Sequence, residues 1–216
     1  MPNTNLPRYF TPSQRATVAA IMARIIPTDD TPGATEAGCV DFVDRYLSGI
    51  GYIHAKPDGS GFEILTGAIA RGWQQRIDIL RKTYAQGIAA LEANAVSRFQ
   101  TGFSHLSAAQ QDQLLTALEA AGAQAASAGG APGEGPALQQ TLTETDLEFF
   151  PLIIMHTRQG FYCDPIYGGN RDRVGWDVIG FPGPKSLMEV FTGQFNTLPW
   201  FAEGEFAKYQ EANHGV

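Results

Sequence analysis

Ile69-Ala-Arg-Gly-Trp73-Gln-Gln-Arg-Ile77-Asp-Ile-Leu80-Arg-Lys-Thr-Tyr84-Ala-Gln-Gly-Ile88-Ala-Ala-Leu91 decides the fold class. Its apolar side chains recur at three- and four-residue intervals, the period of a helix that buries one face. The pattern extends from Phe62 to about Phe99 and predicts one long helix. Gly67, Gly72 and Gly87 are the places where it can break, since glycine is a poor helix former. Working outward, 49–61 reads as a loop around Lys56-Pro57-Asp58-Gly59. Before it, Thr11-Pro12-Ser-Gln14 has the arrangement of a capping box with proline in the first turn. Val18, Ile21, Met22 and Ile25 follow with helical spacing until Pro27. The turn-rich Thr28-Asp-Asp-Thr-Pro-Gly33 leads to a second helix, about Gly38 to Leu47.

On the far side, Ser107-Ala-Ala-Gln110 repeats the capping-box logic ahead of Leu114, Leu115 and Leu118. The Ala/Gly/Ser-rich stretch that follows, 122–137, predicts a flexible loop. Thr143 with Asp146 opens a further helix carrying Leu147, Phe150, Ile154 and His156, with Pro151 imposing a kink or a later start. Glycines and prolines among aromatics make 160–184 an ordered irregular loop, and a short helix is expected near Ser186 to Gln194. The aromatic Pro199-Trp-Phe201 finishes the pattern. No alternating strand pattern stands out. The expectation is an all-α, irregular helical domain, a single unit over residues 1–216, with a long Gly/aromatic-rich loop near its C-terminus.

Composition narrows the function. The 216 residues are 44% hydrophobic and 17% charged, with net charge −7, which disfavours binding to a nucleic-acid backbone. No apolar run approaches the roughly 18 residues of a membrane span. Two cysteines, Cys39 and Cys163, without C-x-x-C-H, leave no c-type haem attachment and no four-cysteine cluster. P-loop, His-Glu-x-x-His, nucleophile-elbow and calcium-loop motifs are missing. Gly59-Ser-Gly61 begins like a dinucleotide loop but lacks the third glycine and a preceding strand. His54, His105, His156 and His214 have no metal-ligand spacing. His156, on an apolar helix, reads as a satisfied core or interface histidine, and Asp29 and Asp30 read as turn caps. Neither a catalytic, a cofactor-binding nor a metal residue is therefore assigned.

The richest signal is Phe161-Tyr-Cys-Asp-Pro-Ile-Tyr167-Gly-Gly-Asn170-Arg-Asp-Arg-Val-Gly-Trp176-Asp-Val-Ile-Gly-Phe181-Pro-Gly183. Large aromatics and arginine on a preformed loop suit a protein interface, and equally a self-packed plug. Cys163 suits either a buried inert thiol or a disulfide, to Cys39 or to a partner.

This segment, together with Phe10-Thr-Pro-Ser-Gln14 through Ile25-Ile-Pro-Thr-Asp-Asp-Thr-Pro-Gly into Val40-Asp-Phe-Val-Asp44, resembles the gluconate 2-dehydrogenase subunit 3 family. The resemblance implies a non-catalytic small subunit of a heteromeric, FAD-dependent sugar or polyol dehydrogenase. Its partner would be a large flavoprotein of the glucose–methanol–choline type, which would hold the FAD and any iron–sulfur cluster. A cytochrome c subunit would take the electrons. The small subunit would bind and stabilise the flavoprotein and assist its maturation or export. The interface residues then expected are Tyr162, Cys163, Asp164, Tyr167, Asn170, Arg171, Trp176 and Phe181, with Cys163 as the disulfide candidate. A periplasmic or periplasm-facing complex is implied. This chain carries no Arg-Arg pair or leader, so it would travel with its partner, have lost a leader, or work in the cytoplasm. The rival readings are a stand-alone enzyme using His156 or the Asp29/Asp30 pair, and a sugar-binding module.

Overall fold

The computed structural model describes residues 8–128 and 143–197, with side chains described for all but 123–128. Among these residues the chain is helical and holds no sheet; a single bridge pairs Ala55 with Phe62. The helices are α1 (Pro12–Ile25), α2 (Cys39–Ser48), α3 (Gly67–Phe99), α4 (Ala108–Ala128), α5 (Phe149–Tyr162), α6 (Val174–Val178) and α7 (Leu187–Phe191). None of them is long and apolar enough to cross a membrane.

Local chemistry sets the helix starts. Thr11 and Gln14 close the first capping box, and Ser107 and Gln110 close the second. Thr143 and Asp146 close a third, but it starts only a short 3-10 turn, Glu144–Asp146. The helix itself begins at Phe149, which leaves Pro151 in the first turn where its missing N–H costs nothing.

The long helix starts at Gly67 rather than Phe62, whose backbone is used in the bridge, and it runs unbroken for 33 residues. Gly87 does not break it, because the Phe149 ring fills the space a side chain would take: a Cβ there would lie 2.0 Å from the ring. Only the later part of the apolar stripe is core. Ile77, Leu80, Tyr84, Ile88 and Leu91 are buried, whereas Ile69 is 63% exposed.

Helix α4 corrects the loop expected at 122–137. Its backbone stays helical to Ala128, as an alanine-rich run favours, and the remainder of that stretch lies outside the described residues. The Pro199-Trp-Phe201 tail also lies outside them. The expected short C-terminal helix is α7, five residues long.

The core joins Val18, Ile21 and Met22 of α1, Val43 and Leu47 of α2, Leu80 to Leu91 of α3, Leu114 and Leu115 of α4, and Leu152 and Ile153 of α5. Helix α2 lies most extensively against α5. That pairing places the end of α5, and the glycine-rich segment after it, directly over the start of α2.

Candidate functional site

The glycine-rich segment is built by backbone contact. After α5 the chain makes two 3-10 turns, Pro165–Tyr167 and Arg171–Arg173, and then α6, a short helix where only irregular structure was expected. At Gly169 a Cβ would sit 2.1 Å from the Gly160 carbonyl oxygen; at Gly175 it would sit 1.9 Å from that of Phe161. Only glycine lets the returning chain lie on α5 this closely.

Asn170 holds the fold-back. Its backbone N–H donates to the Gly160 carbonyl at 2.7 Å, and its side-chain amide donates to the Cys163 carbonyl at 2.9 Å. Its side-chain oxygen accepts from the Gly175 N–H at 2.8 Å. The residue is 0% exposed with φ 45°, a left-handed conformation that asparagine tolerates better than most. Trp176, 5% exposed, donates from its indole to the Tyr162 carbonyl at 2.8 Å and meets Phe181 edge-on.

Charge ties this segment to the N-terminal helices. Arg171 pairs with Asp41 at 2.7 Å, and its N–H donates to the Ala37 carbonyl. Arg15 bridges Asp41 at 2.5 Å and Asp44 at 2.9 Å, while Asp44 accepts the N–H groups of Tyr9 and Phe10.

Beside the plug lies an aromatic cavity of about 430 Å³, lined by Phe42 and Tyr46 of α2, Tyr52 and Ile53 of the following loop, Trp73 of α3, and Gln159, Tyr162, Cys163 and Tyr167. The rings brace one another: Phe42 stacks on Tyr46, Phe62 meets both Tyr52 and Tyr167 edge-on, and His54 meets Trp73. Tyr167 also accepts the Ala55 N–H. Two guanidinium groups sit over wall rings, Arg45 over Tyr52 at 5.9 Å and Arg76 over Trp73 at 5.2 Å. Cys163 donates to the Gly160 carbonyl at 3.7 Å. Burial pushes its thiol up to about 12, and does the same for Cys39. Both cysteines are free.

Behind the cavity lies a buried polar hub. Glu144 accepts from Arg76 through Nε at 2.7 Å and through the neighbouring Nη2, from Tyr46 at 3.1 Å, and bonds the Nε2 of His156. The other His156 nitrogen bonds the Tyr84 hydroxyl at 2.9 Å. Burial raises the Glu144 carboxyl, but hydrogen bonds from His156 and Arg76 outweigh it and hold it below the ordinary value. Burial pushes the Tyr84 hydroxyl well up, so it stays protonated. Ionised Glu144 can only accept, so His156 donates through Nε2, while its Nδ1 shares a hydrogen bond with the Tyr84 hydroxyl. The ring is 0% exposed.

The sequence matches the family described as gluconate 2-dehydrogenase subunit 3 over residues 12–183. The chain belongs to this family. No curated protein and no solved structure matches the chain. The matched span runs from the first residue of α1 to the glycine on which the Trp176 ring packs, and so contains the plug, the cavity and the hub.

Within this family member, the structure divides the eight residues singled out from sequence. Tyr162, Cys163 and Tyr167 come together on the cavity wall. Asp164 turns inward to cap the next turn, accepting the Ile166 N–H. Asn170 and Trp176 are buried inside the plug, and Phe181 packs on Trp176. Arg171 is exposed yet ion-paired within the chain.

The remaining candidates are occupied with structure. Asp29 accepts from the Thr31 N–H at 2.9 Å and its hydroxyl at 3.0 Å, bonds that hold its carboxyl below the usual range. Gly59 and Gly61 belong to a tight turn in which Asp58 accepts the Ser60 N–H. No cluster of metal-ligand type occurs among the described residues. Sequence reading missed Glu144 and the cavity walls Phe42, Tyr46, Tyr52 and Trp73. Glu144 lies between the capping residues Thr143 and Asp146 with no motif of its own, and the wall residues lie far apart in the chain.

Proposed function

We propose that this chain is the non-catalytic small subunit of a heteromeric, FAD-dependent sugar or polyol dehydrogenase. It binds and stabilises a large flavoprotein of the glucose–methanol–choline type and assists its maturation or export. The observation that carries the proposal is the family membership, whose name is that of a dehydrogenase subunit.

The contacting face is the aromatic cavity and the outer side of the plug, with Tyr162, Cys163, Tyr167 and Trp73 in contact. Asn170, Trp176 and Phe181 shape that face from within, and Asp164 and Arg171 fix its frame. Preformed pockets of aromatic residues are where binding energy concentrates in protein interfaces. In an oxidising compartment Cys163 is the position for a covalent link to the partner. The flavin, and any iron–sulfur cluster, belong to that partner, a cytochrome c subunit receives the electrons, and the complex works in or facing the periplasm.

Pull-down of the tagged chain from its native host, followed by mass spectrometry and a flavin absorbance scan, tests the assignment. A yellow complex containing a large flavoprotein is expected. A colourless, solitary 23.3 kDa chain would refute it. Tyr167→Ala combined with Tyr162→Ala should lower flavoprotein recovery by about tenfold or more while leaving the helical signal intact.

A further inference from the structure

We infer that Glu144 is a positioning residue for the aromatic cavity, its one carboxylate holding Tyr46 by the phenol and Trp73 through the Arg76 guanidinium. The geometry stands by itself; that these walls matter to the flavoprotein rests on the reading of the cavity as the partner's seat.

The two carboxylate oxygens do different jobs. Oε1 faces the core and bonds His156, which continues to Tyr84. Oε2 faces the cavity side, where it receives both the Tyr46 hydroxyl and the Arg76 guanidinium. Tyr46 is itself a wall and carries a second wall, Phe42, stacked on it at 6.0 Å. Arg76, held by Glu144, lies over the ring of Trp73, which lines this cavity and the shallower groove beside it. Walls from α2 and α3 thus take their positions from one group on the turn that precedes α5. A side chain only 5% exposed with this many donors has little freedom to shift, which is how a pocket is preorganised.

The chain labelled with 5-fluorotryptophan tests this by fluorine NMR. Trp73→Phe assigns the Trp73 resonance and Trp200→Phe that of Trp200, which leaves the third, Trp176, to report the intact plug. Glu144→Gln and Arg76→Gln should both displace the Trp73 signal and leave that of Trp176 in place. Arg76→Lys, which keeps the cation, should bring Trp73 back toward its native position. If Glu144→Gln does not fold, Arg76→Gln decides, since Arg76 is partly exposed and leaves the Oε1 half untouched. A Trp73 signal that stays put in folded Arg76→Gln overturns the inference. A displaced Trp73 signal with about tenfold lower flavoprotein recovery from the native host supports it together with the partner reading. A displaced signal with unchanged recovery supports the positioning role and removes the cavity from the interface.

Discussion

Asn170 carries two side-chain hydrogen bonds and a left-handed backbone, and these can be separated by substitution. Asn170→Gly keeps the backbone freedom and loses the two side-chain bonds, for which about 1 kcal/mol each is the usual net value. Asn170→Ala loses the same bonds and adds about 1 kcal/mol of left-handed strain. Urea denaturation should therefore rank native above Gly above Ala. An Ala variant as stable as the Gly variant would mean that the backbone relaxes out of φ 45°. The thiols make a second prediction at this scale. With both pushed up to about 12 by burial, almost none is thiolate at neutral pH. Alkylation by iodoacetamide at pH 8 should be roughly a thousandfold slower than for a free cysteine, and rapid labelling would show that Cys163 opens readily. Asn170 and Trp176 announced themselves in the sequence by type. Their direction, inward rather than outward, depended on how closely glycine lets the chain return, which residue type alone does not determine.

The helices show which sequence signals survive folding. Capping boxes at Thr11 and Ser107 appear as read because every partner lies within three residues. The start of α3 and the later start of α5 were less legible, since a competing bridge at Phe62 and a 3-10 turn at Glu144 take the flanking residues. Beyond Gly67 at its start, the two interior glycines of α3 had the same appearance in sequence and have different roles. Gly72 has open space where a side chain would go, so Gly72→Ala should stabilise the helix by up to about 1 kcal/mol. Gly87 has the Phe149 ring there, so Gly87→Ala should destabilise by about 1–2 kcal/mol once overpacking outweighs the same propensity gain. Thermal unfolding of the pair checks this: opposite signs are expected, and a stabilised Gly87→Ala would show that α5 can move off α3.

Across the whole molecule, the two blocks that carried the family resemblance meet through Arg171, Asp41 and Arg15, more than a hundred residues apart in sequence. The hub performs a parallel closure, joining α2, α3, α5 and the turn before α5 through one carboxylate. Its charge makes acid stability a property of the assembled fold. The folded Glu144 carboxyl lies below its ordinary value because His156 and Arg76 donate to it. Its contribution is therefore fully present above the unfolded carboxylate pKa, about 4.3, and is lost as pH falls through the lower folded value. Glu144→Gln should cost about 3 kcal/mol at pH 7, because it leaves the buried donors mismatched. It cannot titrate, so the gap between variant and native protein should close as pH falls below about 4. Urea unfolding of both proteins at pH 7, 5, 4 and 3 measures that gap. Exposed acids such as Asp29 and Asp146, also held below their usual range, titrate equally in both proteins and cancel in the difference. A gap that stays constant to pH 3 would mean that Glu144 keeps its charge throughout, and that acid loosening of the fold begins elsewhere.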